Sequence, residues 1–185
     1  MGIIWVVRKT PREFDGPPDL AGDIIVRREL RDGDTEAMVA LHERLYRAGF
    51  GMDARFTVGV RTSITSALDA GWMRDGGAVW LIDDGSLAGT LALTEEGGGL
   101  GRVRWFLLAP ELRGRGLGRS LIAELVDEAR ERGLAKLELV TFSALTVAAR
   151  IYRSAGFRLM SAEETDMWGP PIVFQHYELP LVDPD

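Results

Sequence analysis

The sequence predicts an α+β domain: a mixed, mostly antiparallel sheet of about six or seven strands flanked by about four helices. Three observations carry that expectation. Short apolar runs rich in β-branched and aromatic residues form a meander at residues 78–82, 87–94 and 102–109. Two amphipathic helical patterns precede the meander and two follow it. Finally, residues 102–142 read strand, helix, strand, which has the length of a crossover and makes those two strands parallel.

Taken in order, residues 2–7 (GIIWVV) form a strand-like run and residues 8–22 a charged tether whose prolines and glycines disfavour regular structure. Residues 1–22 therefore read as an N-terminal extension, 23–182 as the domain and 183–185 as a tail. The extension can add a strand to the sheet, lie on a partner subunit in a homodimer, or trail as a tail. Residues 24–30 suit a first strand. Asp34 suits the cap of a helix whose Met38, Leu41, Leu45 and Ala48 recur at helical spacing, with Gly49 and Gly51 ending it. A second helix follows Asp53, with Phe56, Val60, Ile64 and Leu68 four apart and a stop at Gly71; Gly59 weakens it.

Asp83, Asp84, Gly85 and Ser86 supply hairpin-turn chemistry between the first two meander strands, and the glycine-rich residues 95–101 make a looser turn into the third. Beyond it, Leu117, Leu121, Ile122, Leu125, Val126 and Ala129 form a helical stripe closed by Arg130, Arg132 and Gly133. A strand at 135–142 and a short helix at 145–155 bearing Ala148, Ala149 and Tyr152 follow, the helix ending at Gly156. Strands at 157–160 and 172–179 complete the sheet, separated by a polar, proline-containing stretch.

Composition narrows the chemistry. A net charge of −6 argues against nucleic acid as a partner, because duplex binding needs a basic footprint. With no cysteine and two widely separated histidines, no thiolate nucleophile, disulfide or metal site is expected. No apolar run approaches the roughly 20 residues that span a bilayer. The N-terminal run lacks a basic lead and a small-residue cleavage site, and Val6 breaks the myristoylation pattern despite Gly2, so a cytoplasmic protein is expected.

Against this acidic background stands PELRGRGLGRS, residues 110–120. Pro110 stops a strand, Gly114, Gly116 and Gly118 let a ligand approach the backbone, and Arg113, Arg115 and Arg119 add positive charge at a helix N-terminus. The segment reads as a phosphate cradle. It is no P-loop, since no lysine followed by Ser or Thr ends the run. Nor is it a dinucleotide fingerprint: GRGLGR departs from GxGxxG, and the next strand ends in Val140, Thr141 and Phe142 without a ribose-binding acid.

Arg113, Gly116 and Gly118 do fill the pattern of the coenzyme A pyrophosphate loop of the GNAT N-acetyltransferase superfamily, and AARIYRSAGF, residues 148–157, resembles that family's second signature. More narrowly, FSALTVAARIYRSAGF and WGPPIVFQHYEL look similar to acetyltransferase domains joined to MarR-type winged-helix regulators. The resemblance covers residues 24–181. It implies a sheet that splays into a V at the cofactor site, with acetyl-CoA as cofactor. The pantetheine arm would lie along the backbone of Phe106, Leu107 and Leu108, and the pyrophosphate on the amides of residues 114–119, that is Gly114, Arg115, Gly116, Leu117, Gly118 and Arg119. Many members place an asparagine near the cofactor thiol where this chain has Leu145.

Acetyl transfer to an amine needs a neutral acceptor, a polarised carbonyl and a proton for the departing sulfur. Tyr152, a phenol of unperturbed pKa near 10, suits the last role, and a main-chain N–H near Leu108 suits the second. Glu95 and Glu96 are the candidates for the base, with a solvated acidic turn as the alternative; His42 reads better as a structural histidine. Arg104 either lines a substrate cleft or decorates the sheet. Trp72, Trp80 and Trp105 suit the core, Trp168 an acceptor contact, and Tyr46, Phe50 and Phe56 the opposite wall. The expected function is an acetyl-CoA-dependent N-acetyltransferase acting on a small-molecule or protein amine, and the acidic surface favours a cationic acceptor. A non-catalytic acyl-CoA-binding sensor is the other class, consistent with Leu145 and with no evident base.

Overall fold

Apolar residues on both faces of the meander strands demand cover on both sides, and the chain supplies it with two pairs of helices. The computed structural model describes residues 24–74 and 77–182; the strand expected at 2–7, the tether and the tail lie outside them. In chain order the elements are β1 (Ile25–Arg27), α1 (Asp34–Phe50), α2 (Ala54–Asp69), β2 (Ala78–Asp83), β3 (Leu87–Glu95), β4 (Leu100–Leu108), a 3-10 turn (Pro110–Leu112), α3 (Leu117–Glu131), β5 (Lys136–Phe142), α4 (Thr146–Ser154), β6 (Arg158–Thr165) and β7 (Ile172–Pro180). They form one seven-stranded sheet in the order β1-β2-β3-β4-β5-β7-β6. Every pairing is antiparallel except β4 with β5. The expected α+β class, the mixed sheet and the parallel crossover are all present.

Alternation along β2 shows how the layers form. Trp80 and Ile82 pack with the α3 stripe, Leu117, Leu121, Ile122 and Leu125, on one face. Val79 and Leu81 pack with Met38, Phe56 and Ile64 of α1 and α2 on the other. All four β2 side chains are fully buried, each worth about 1.5–3 kcal/mol relative to exposure.

The first strand is shorter than expected, and a long-range ion pair explains why. Arg27 is clasped by Asp34 through two bonds of 2.9 Å and donates from Nε to Asp83 at 2.6 Å. Asp34 also accepts from the Arg31 amide at 2.7 Å, so the chain must turn immediately after β1. Asp34 is consequently not the cap of α1 but lies in its first turn; Gly33, at φ 89°, is the cap, a backbone conformation that favours glycine. Arg28 leaves the sheet, lies 3.9 Å over the Trp80 ring and pairs with Glu124 and Glu128 of α3. Asp53, which the second helix follows as expected, caps α2, accepting from the Arg55 amide at 2.8 Å.

The strand after α4 is longer than its apolar residues suggested. β6 pairs with β7 as far as Thr165–Ile172 and is exposed along almost its whole length. An edge strand uncovered on both faces needs no apolar alternation, so the polar SAEET segment carries no strand signal of its own.

The Arg27 guanidinium holds the Asp34 carboxyl below its ordinary 3.8. A carboxyl with a lowered folded pKa contributes stability that is complete above about pH 4 and is lost as pH falls through the lower, folded value. Asp34→Asn should therefore cost about 2–3 kcal/mol at pH 7. The gap to the parent should shrink as pH falls below about 4, read from urea unfolding at several pH values.

Candidate active site in the splay of the sheet

Pairing between β4 and β5 lasts three residues, Leu100–Lys136, Gly101–Leu137 and Arg102–Glu138. Beyond that point β4 pairs with β3 and β5 pairs with β7, so the two strands part and leave a wedge. A bulge bends β4 within it: the register with β3 shifts between Thr90 and Ala92, and Trp105 adopts a φ of 49°, rare for a residue with a side chain. Such a conformation costs about 1–3 kcal/mol and persists only where its surroundings enforce it. Here the buried Thr90 hydroxyl donates to the Trp105 carbonyl, the Trp105 indole N–H donates to Ser63 Oγ at 3.3 Å, and the ring meets Trp72 edge-on at 5.0 Å. The wedge holds a cleft of about 290 Å³ between Arg104, Trp105 and Phe106 of β4 and Leu139, Leu145 and Tyr152.

At the outer end of β4 the chain turns through Pro110–Leu112 into the glycine loop. Gly114 and Gly116 take φ values of 80° and 83°, and Gly116 caps α3 without a side-chain hydrogen bond. The amides of Gly114, Arg115, Gly116, Leu117 and Gly118 meet no backbone acceptor among the described residues. The Arg119 and Ser120 amides bond the Gly116 carbonyl, which removes Arg119 from the expected set of main-chain donors. Arg113 reaches back to the Leu108 carbonyl at 2.8 Å and fixes the loop on the end of β4. Gly118 has a packing reason: a Cβ there would sit 3.1 Å from Ile151 Cδ1 and 3.4 Å from Phe106 Cζ. The first turn of α3 contains no acid. Loop, helix terminus and arginines together fit a pyrophosphate.

Tyr152 sits in the wedge wall, 5% exposed, against Phe106, Phe157 and Tyr177 at ring distances of 6.0–6.2 Å. Burial, with smaller contributions from Tyr46 and Tyr177, pushes its pKa above the ordinary 10, so the phenol stays protonated. Leu145 caps α4 and lines the same cleft. Phe106, Leu145 and Tyr152 are thus brought together as expected, whereas the Leu107 side chain is buried on the α1–α2 side and does not line the cleft.

Residues 36–157, well over half of the chain, match the acetyltransferase (GNAT) family. The chain belongs to that family. Solved structures share the fold at low identity. An acetyltransferase of the GNAT family from Staphylococcus aureus is 16% identical, with TM-score 0.68 over 86% of this chain and 99% of that one. A Salmonella typhimurium protein solved with its cofactor acetyl-CoA is 18% identical, with TM-score 0.62 over 86% and 95%. The ribosomal-protein-S18-alanine N-acetyltransferase from Escherichia coli is 18% identical, with TM-score 0.64 over 88% and 96%. No curated protein sequence matches the chain. Acetyl-CoA is the cofactor of the GNAT family, and the wedge and cradle fit it.

Within this GNAT frame the paired acids separate. Both border a second cavity of about 260 Å³ beside α2, together with Trp72, Thr94 and Arg104. Glu95, however, accepts from Arg132 at the end of α3 at 3.1 Å, which commits its carboxylate away from the wedge. Glu96 accepts from the Thr94 hydroxyl at 2.8 Å and lies 3.4 Å from Arg104. His42 is buried, donates from Nδ1 to the Met38 carbonyl at 2.8 Å and is held neutral by burial, its pKa lowered to about 4. It is a structural residue, as the sequence suggested. Trp168 packs edge-on against Phe56 and Phe174, both at 5.0 Å, and its carbonyl accepts from the Asp53 amide at 3.0 Å. It fastens the β6–β7 loop to α2. Tyr46, Phe50 and Phe56 pack around Phe142 and each other as core beneath the wedge.

Sequence reasoning missed the bulge and the Thr90–Trp105–Ser63 chain that holds it; Thr90, one of two threonines in the apolar run of β3, was the signal for it. Thr90→Val should cost about 1 kcal/mol of stability and weaken acetyl-CoA binding about fivefold. Denaturant unfolding and calorimetric titration measure the two. A stability loss with unchanged affinity would detach the bulge from cofactor binding.

Proposed function

We propose that this chain transfers the acetyl group of acetyl-CoA to a primary amine of a small molecule or a protein by direct attack, with Tyr152 as the proton donor. The observation that carries the proposal is the buried, protonated Tyr152 phenol facing the unpaired edge of β4 across the wedge. Acetyl-CoA, when bound, supplies an acetyl group activated as a thioester. Backbone at residues 106–108 serves the pantetheine arm, and the amides of residues 114–118, with Arg113 and Arg115, serve the pyrophosphate. Tyr152 holds a proton at its Oη for the departing sulfur. Glu96, or a water it holds, is the acceptor of the amine proton, since an alkyl ammonium near pKa 10.4 must first become neutral.

The lack of a nucleic-acid partner, supported by the net charge of −6, and a cytoplasmic setting belong to the same reading. Among the described residues no helix is long and apolar enough to cross a membrane. The narrower kinship with domains joined to MarR-type regulators, read from residues 142–157 and 168–179, is also part of the proposal.

Tyr152→Phe should lower kcat on the order of 10²-fold while changing acetyl-CoA affinity less than about twofold. Gly116→Trp should abolish cofactor binding, because the new side chain strains a backbone at φ 83° and fills the cradle. Release of free CoA across an amine panel is the direct assay. Binding of acetyl-CoA without CoA release above background would overturn the proposal.

A further inference from the structure

Arg102 and Arg104 lie two apart on β4 and so project from one face of the sheet, the face on which Ala92, the cross-strand partner of Arg104, packs with α1 and α2. Arg104 is the wall shared by the two cavities of about 290 and 260 Å³, and its side chain is 22% exposed. A guanidinium withdrawn from water needs acceptors for its fork of N–H groups. Its ionic partner is Glu96, 3.4 Å away and not aligned as a hydrogen bond. That carboxylate already accepts from Thr94 at 2.8 Å and faces Arg102 at 4.0 Å. The other carboxylate near Arg102, Glu138 at 3.7 Å, is taken by Lys136 at 2.8 Å. Two guanidiniums therefore share Glu96, and Arg104 has no hydrogen-bonded acceptor among the described residues. Burial, opposed by Glu96 and aided by the neighbouring Arg102, pulls its pKa below the ordinary 12.5, and the Trp105 ring lies 5.6 Å from the guanidinium.

We infer that the acceptor is an aminocarboxylate, and that Arg104 selects it by taking its carboxylate while the amine enters the wedge. This inference rests on the acetyltransferase reading and names its acceptor class. A planar carboxylate matches the guanidinium fork with two parallel hydrogen bonds, which a carboxamide or a plain alkyl amine cannot supply with charge. Trp72, Ala67 and Ala70 in the adjoining cavity offer apolar surface to a side chain. In the transfer, the N–C bond to the acetyl group forms as the C–S bond breaks. The neutral amine gives up one proton and the sulfur takes one, so the products are the N-acetyl acid and the free thiol and no other reactant is consumed.

The test uses the full chain with three matched pairs: L-phenylalanine and its amide, L-methionine and its amide, and β-alanine and its amide. Binding is measured calorimetrically with and without CoA, and CoA release from acetyl-CoA is followed separately. At least one acid should bind ten or more times tighter than its amide. Arg104→Met should reduce that preference to within twofold, and Arg104→Lys should keep part of it. Acids and amides bound within twofold by the parent protein would overturn the inference whether or not CoA is released. So would a preference that survives in Arg104→Met. Selective binding of acids without any CoA release would leave carboxylate recognition standing and overturn acetyl transfer instead.

Discussion

The site depends on where one hydrogen-bond ladder stops. Three residue pairs join β4 to β5, and the pairing ends at Arg102–Glu138. A sheet that simply continued would have no room for a ligand. Leaving the β4–β5 ladder incomplete gives up backbone hydrogen bonds worth about 0.5–1.5 kcal/mol each, so the opening needs enforcement from outside the ladder. Enforcement comes from both sides. The Thr90 hydroxyl and Ser63 hold the Trp105 bulge that bends β4 away. β5 meanwhile stays fully paired to β7 as far as Phe142–Phe174, so it cannot follow. At the closed end, Arg102, Glu138, Lys136 and Glu178 lace β4, β5 and β7 together by ion pairs. An extended ligand arm can then supply the missing edge, and its amides and carbonyls recover hydrogen bonds that the fold gave up.

The phosphate end obeys the same economy of fixed parts. α3 buries Leu117, Leu121, Ile122, Leu125, Val126 and Ala129 against the sheet, which anchors its N-terminus at the mouth of the wedge. Because Gly118 lacks a Cβ, the helix can approach Phe106 and Ile151 closely, and strand, helix and cradle become one rigid unit. The amide donors are thus oriented before any ligand arrives, so binding does not bear the cost of ordering a loop. Arg28, just past the edge strand β1, ties the same helix to that edge of the sheet through Glu124 and Glu128.

Much of this was legible in the sequence because it is local. The stripe of α3, the alternation of the meander, the glycine loop and the AARIYRSAGF helix each carry their own periodicity or turn chemistry. What escaped was long-range. β1 ends where it does because Arg27 meets Asp34 and Asp83, fifty-six residues from Arg27 in the last case. Glu95 and Glu96 are chemically the same pair in sequence, and only the position of Arg132 at the end of α3 assigns them to different partners. The Arg119 amide, in the first turn of α3, already bonds the carbonyl of the cap residue Gly116. Similarly, β6 has no apolar signature because it is exposed along almost its whole length. Local rules place elements; the identity of a functional atom depends on neighbours that the fold alone brings.

Charge shows the same division between the whole chain and the site. A net charge of −6 favours a cationic acceptor at long range, through a field that salt screens beyond about 8 Å. Inside the cleft the contacts are shorter-ranged: Arg102 lies between Glu138 at 3.7 Å and Glu96 at 4.0 Å, and Arg104 shares Glu96 at 3.4 Å. There the medium is less polar, so these near charges outweigh the distant surface charge. The aminocarboxylate proposed above is a zwitterion without net charge, so the overall field contributes little to its encounter, and the geometry around Arg104 governs choice.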